Sequence, residues 1–192
     1  AFSPDFKTMY FTRCLIDGES PRAAQIYKST RSDASWSAPT QCELVKDTLS
    51  SFAHPAVSPS GDWLYFVSNL PGGEGGLDLW RFYIGRSRAM EGILENLGPG
   101  INTPGDEMFP TFGPQGELFF SSNGYPGMGG LDIFAAVQEN DTVWNVNNIG
   151  APVNSNADDF GMTFEPGAPH RGFFSSNRGV ANGWDHIYSF EL

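Results

Sequence analysis

Basic residues are scarce in this chain: 11 Lys and Arg stand against 22 Asp and Glu, for a formal net charge of −11. That balance excludes a nucleic-acid partner, because phosphate binding draws on a basic surface. Long apolar runs are absent, and the first residues carry neither a basic n-region nor an apolar h-region. No membrane insertion is therefore expected, and the chain as given is expected to be soluble. No segment holds a sustained 3.6-residue period. The nearest approach, Ser87 to Asn96, is interrupted by Gly92 and amounts to one or two turns at most. Cysteine is confined to Cys14 and Cys42. One disulfide between them suits an oxidising periplasm, and two buried thiols suit the sequence equally. Catalytic signatures are missing too. There is no G-x-S-x-G elbow, and His54, His170 and His186 form no H-E-x-x-H pair. The glycine run Pro71-Gly72-Gly73-Glu74-Gly75-Gly76 lacks the Lys-Ser/Thr ending and following helix of a phosphate loop.

What the chain has is a repeat. Phe11, Phe66, Phe120 and Phe174 are spaced 55, 54 and 54 residues apart, and a period of that length signals stacked supersecondary units. The second copy runs Ser58-Pro59-Ser60-Gly61-Asp62, then Trp63-Leu64-Tyr65-Phe66-Val67-Ser68-Asn69, then Gly75-Gly76-Leu77-Asp78-Leu79-Trp80. The third matches it closely through Gly113-Pro114-Gln115-Gly116, Leu118-Phe119-Phe120-Ser121-Ser122-Asn123 and Gly129-Gly130-Leu131-Asp132-Ile133-Phe134. The first and fourth are weaker. Gln25 stands in the first where Asp78 and Asp132 stand. The fourth keeps Ser175-Ser176-Asn177 but offers Asp185, while counting places His186 in the Asp register. A connector recurs as Ile101-Asn102 and Val153-Asn154.

Each Pro-containing turn presets a hairpin. The flanking runs are apolar at nearly every position, so they are strands buried on both faces. Four short antiparallel strands per copy, covered on both sides, describe the blade of a β-propeller. The fold class is therefore all-β, one domain over residues 1–192 with repeats at about 1–46, 47–101, 102–153 and 154–192. The first copy lacks its lead-in and the fourth its outermost strand, which reads as part of a larger propeller. Four blades closing alone are the alternative.

The stretch from Ser58 to Trp80 resembles the PD40 or WD40-like repeat of TolB-like propellers. In its longer form, with the Asn connector, the chain is most similar to propellers of Bacteroidetes OmpA-like, peptidoglycan-associated envelope proteins, including the PorE-like branch that serves type IX secretion. The resemblance covers the whole chain. It implies a periplasmic protein associated with the outer membrane, with envelope proteins such as secretion components as partners. Peptidoglycan would be reached only through a domain outside this chain.

The function expected is a non-catalytic protein–protein interaction scaffold. A carbohydrate-binding or glycan-processing propeller and an accessory propeller of a serine peptidase are the alternatives. Binding is expected on the Gly-rich loops, where Tyr125 and Trp184 are candidate aromatic anchors beside Asn69 and Asn123. Asp78, Asp132 and Asp185 are expected to fix hairpins by accepting loop N–H groups. Calcium held by Asp78 and Asp132 with Asn69 and Asn123 is the weaker reading, since no local spacing supplies six oxygens. No cofactor or metal is assigned. The pairs Asp106-Glu107 and Asp158-Asp159 recur at one register, and recurrence argues for a structural or solvating role over a catalytic pair.

Overall fold

A computed structural model describes every residue except 18, 19, 34, 48, 141, 142, 180–182 and 192, with the backbone alone at 15–17 and 20–22. The runs of aromatic and β-branched residues form four antiparallel sheets. The first blade holds β1 (Thr8–Asp17), β2 (Ser20–Thr30) and β3 (Thr40–Gln41). The second holds β4 (Phe52–Val57), β5 (Trp63–Ser68), β6 (Asp78–Tyr83) and β7 (Leu94–Asn96). The third holds β8 (Glu107–Phe112), β9 (Leu118–Ser122), β10 (Asp132–Gln138) and β11 (Trp144–Asn148). The fourth holds β12 (Asp159–Glu165), β13 (Ala168–Ser176) and β14 (His186–Glu191). In the first blade Phe2 bridges to Met9, and Ala1 exchanges 2.8 Å hydrogen bonds with Tyr10, so these residues stand in the inner-strand slot. The helical candidate is a single 3-10 turn, Arg88–Met90.

Turn chemistry and register repeat with the sequence. Gly61 N–H donates to the Ser58 carbonyl at 2.9 Å, and Gly116 N–H to Gly113 at 3.1 Å; both glycines have positive φ, which costs glycine little. In the first blade the same place is taken by Phe6, at φ +55, with its N–H on the Ser3 carbonyl. Each later inner strand carries a bulge at one shared position, between Ala53 and Ala56, Met108 and Thr111, and Phe160 and Thr163. His54, Phe109 and Gly161 sit there at φ +49, +54 and +67. Pro55 and Pro110 follow in the bulge, where no ladder donor is needed.

The cores lie between blades. Tyr10 and Ile26 of the first blade pack with Leu64, Phe66 and Trp80 of the second. Tyr65, Val67 and Leu79 meet Leu118, Phe120 and Phe134 of the third. Phe119 and Ile133 then meet Met162, Phe174 and Phe190 of the fourth. Alternate residues of a central strand thus serve two different joints, which is why β5 and β9 are apolar without a polar alternate. The architecture is that of β-propeller blades stacked face to face.

Candidate functional site

The described parts of the loops between β5 and β6, β9 and β10, and β13 and β14 lie on one rim, and polar side chains tie that rim to the connectors of the following blades. Asp78 accepts the N–H groups of Glu74 and Gly75 at 2.7 and 3.2 Å, and Asn96 Nδ2 at 3.2 Å. Asp132 accepts those of Met128 and Gly129 at 2.6 and 3.1 Å through Oδ2; its buried Oδ1 has no partner. In the fourth blade His186 pairs with Ser176, the register of Asp78 opposite Ser68. Asp185, offered by the sequence for this role, stands one residue ahead and is exposed. It misses the slot because strand register counts from Ser176.

Asn69 and Asn123 also turn to the backbone. Asn69 Oδ1 accepts Ser51 N–H at 2.8 Å, and Asn123 Oδ1 accepts Asp106 N–H at 2.8 Å. Asn177 does the same for Asp158 at 2.9 Å. Asp106 and Asp158 reach back to the preceding blade, accepting the N–H groups of Leu77 and Leu131 at 2.9 Å each. Gly75 and Gly129 let the rim loops lie against the next connector: a Cβ at either would overlap the backbone of Thr103 to Gly105 or of Ala157.

Tyr125, expected as an exposed anchor, turns inward. Its ring packs on Phe120 and Phe134, and its hydroxyl donates to the Ile101 carbonyl at 3.0 Å. Burial pushes the phenol up to about 12, with the Glu107 charge adding to it. Trp184 is 68% exposed on its loop. Residues 180–182 of that loop lie outside the described residues. The sequence reading missed Met128, 50% exposed on the equivalent loop of the third blade. The Cys14–Cys42 disulfide is not formed; both thiols are free. The sheet order β1-β2-β3 inserts β2 between them. Two strand spacings, roughly 9.5 Å, exceed a disulfide's reach. Burial raises the Cys42 thiol.

Two buried acids seat the inner strands. Glu107 accepts Thr103 N–H at 2.8 Å and the Thr103 and Ser122 hydroxyls at 2.6 Å each. Burial raises its carboxyl above the usual range, against the lowering effect of those hydrogen bonds. Asp159 accepts Ser155 N–H and its hydroxyl at 2.6 and 2.8 Å, and pairs with the Arg178 guanidinium. Arg178 also donates to the Pro152 carbonyl at 2.7 Å and lies over the rings of Phe174 and Tyr188. Asn102 and Asn154 pin the connectors: each amide accepts the N–H and donates to the carbonyl of one residue, Leu79 or Ile133, at 2.8 to 3.0 Å.

The inner strands leave a central cavity of about 470 Å³, lined by Phe2, His54, Pro55, Phe109, Gly161 and Thr163 among others. His54 stacks on Phe109 with ring centroids 4.0 Å apart, and Phe109 meets Phe160 at 5.0 Å. Burial lowers the His54 pKa, so the imidazole is neutral at pH 7 and the wall carries no charge from it. Among the described residues no group of three or more His, Cys, Asp or Glu side chains converges to hold a metal ion.

No family model and no curated protein matches the chain. Solved structures do. TolB from Acinetobacter baumannii aligns with the whole chain at TM-score 0.60 and 11% identity, the chain covering 40% of TolB. A prolyl endopeptidase aligns with 99% of the chain at TM-score 0.60 and 14% identity, with 24% of its own length covered. A puromycin-hydrolyzing peptidase of Mycobacterium tuberculosis aligns with 100% at TM-score 0.56 and 14% identity, with 28% covered. These four blades therefore span well under half of each relative. The fold is that of TolB-like and prolyl-peptidase β-propellers.

Proposed function

We propose that the chain is a non-catalytic scaffold for protein–protein contacts in a Gram-negative cell envelope, working in the periplasm. The use made of the repeated carboxylates carries this reading. Asp78, Asp106, Glu107, Asp132, Asp158 and Asp159 all accept hydrogen bonds from backbone or side-chain donors of this chain. Carboxylates that recur in two neighbouring blades hold loops and joints in place, and what the rim turns outward includes the apolar Met128 and Trp184. Apolar and aromatic side chains on a rigid rim are the usual anchors of a protein interface. No helix among the described residues is long and apolar enough to cross a membrane.

The sequence resemblance to peptidoglycan-associated propellers supports a place near the outer membrane and makes a type IX secretion component the first partner to try. Pull-down from a native envelope extract, with the captured proteins identified by mass spectrometry, tests it. Wild type is expected to retain such a component. The double variant Met128→Ala/Trp184→Ala should retain about tenfold less at an unchanged melting temperature. Equal retention removes the rim from the reading. Fluorophosphonate labelling of the native polypeptide would replace it with an accessory propeller of a serine peptidase. Tight binding of peptidoglycan fragments or other glycans by this chain alone would replace it with a carbohydrate-binding one.

A further inference from the structure

The second and third blades part at the end of their joint away from the rim, where β5 starts at Trp63 and β10 finishes at Gln138. The cleft between them measures about 780 Å³, the size of a small-ligand site. Trp63, Arg81 and Glu95 of the second blade line one wall and Gln138 and Trp144 of the third the other, with the connector Leu97 to Gly100 between them. The repeat does not call for these side chains. Counting along the strands, the two tryptophan places hold Thr8 and Gly92 at the joint before. At the joint after, Glu117, Ala135 and Asn147 stand where Trp63, Arg81 and Glu95 stand here.

Much of the polar lining is already committed. Arg81 Nε donates to Glu95 Oε2 at 2.7 Å, and its guanidinium lies over the Trp63 ring at 4.3 Å. Asn96 is bonded to Asp78, Gly98 and Asn102. Left over are the two indole N–H groups, the Gln138 amide and Glu95 Oε1, none of them bonded to a described residue. We propose that this cleft binds a proline-rich, basic peptide segment in the polyproline II conformation. Such a segment carries prolines three residues apart on one edge and carbonyls that its own backbone leaves unbonded. The tryptophan rings take the prolines, the indole N–H groups donate to the carbonyls, and Glu95 Oε1 takes a lysine or arginine. The net charge of −11 favours a cationic ligand. A glycan fits less well, because its many hydroxyls need fixed polar partners and Arg81 and Asn96 are engaged within the chain. The cleft is separate from the rim and stands whether or not the rim holds a partner.

Titration of a labelled peptide of repeated Pro-Pro-Lys triplets with the purified protein, read by fluorescence polarisation, tests this. Binding is expected with Kd below about 0.1 mM. A Gly-Ser-Lys peptide of equal length and charge should bind at least about tenfold more weakly, since it is not preordered. Trp144→Ala should weaken binding by about tenfold or more. Where that variant fails to fold, Gln138→Lys at an exposed position should weaken it too, by repelling the lysines. Glu95→Gln should weaken it less and reduce the loss of affinity on adding salt. Met128→Ala/Trp184→Ala should leave it unchanged. Absence of binding at about 1 mM overturns the proposal, as does equal binding of the two peptides or of wild type and a folded cleft variant. Chito-oligosaccharide binding that Trp144→Ala removes would overturn it in favour of a glycan, and peptide binding lost in the rim variant would overturn the cleft as the site.

Discussion

The joint between the third and fourth blades and the far face of the fourth are built from matching residues and end in opposite states. Phe119 and Ile133 lie inside a joint, while Phe173 and Ile187 face outward at the same registers. Covering one such side chain stabilises the fold by roughly 1.5–3 kcal/mol, and that gain exists only where a neighbouring sheet is present. A repeat therefore writes apolar residues into every blade regardless of what covers it. Burial is a property of the stack. The polar network follows a different rule: Asn123 and Asn177 grip Asp106 and Asp158 within their own blades, so those contacts recur in both.

The sharpest way to break the comparison is one charge placed on each side of it. Ile133→Glu buries a carboxylate without a partner and is expected to cost more than about 4 kcal/mol or abolish folding. Ile187→Glu should change stability by less than about 0.5 kcal/mol; chemical denaturation of both variants measures the contrast. Next in size is the pair that closes the last joint. Arg178→Ala leaves Asp159 buried without its cation and should cost about 3–5 kcal/mol, read as a fall in the denaturation midpoint.

A milder contrast comes from Glu107, which occupies the place of Asp159 one blade earlier and is seated by hydroxyls and an N–H without a cation. Its folded pKa is raised above the ordinary 4.5, so its contribution is fully present below that value and is lost as pH rises through the folded pKa. Glu107→Gln keeps the hydrogen bonds, since the hydroxyls can rotate to accept. It should flatten this part of the stability profile, measured by melting from pH 4 upward. The smallest effect is expected at Phe6, a non-glycine residue at φ +55 in the turn position that Gly61 and Gly116 fill elsewhere. Phe6→Gly should relieve backbone strain on the order of 1 kcal/mol and raise the melting temperature slightly, less any loss of its ring contact with Phe2.

Much of the blade architecture was legible because it rests on short-range pattern. Phe11, Phe66, Phe120 and Phe174 recur at one strand position, and Pro-Gly turns mark the hairpins between them. The site was less legible. Tyr125 reads as a loop aromatic, but the rings that bury it and the carbonyl that accepts its hydroxyl come from β9, β10 and the connector at Ile101. Cys14 and Cys42 read as a pair until the strand order separates them. Arg178 gave one signal that could have been used: it follows Ser175-Ser176-Asn177 where the third blade has Gly124, and a cation in a glycine's place needs an anion nearby.

By itself, the sequence determined the strands, their period and the apolar character of every blade face, because local conformational preference and burial on two sides leave a mark on each residue in turn. Only the tertiary structure decided which of those faces are covered, which loop aromatic points outward and which carboxylates are seated by backbone donors. Those outcomes depend on distances between residues far apart in the chain, and packing sets such distances.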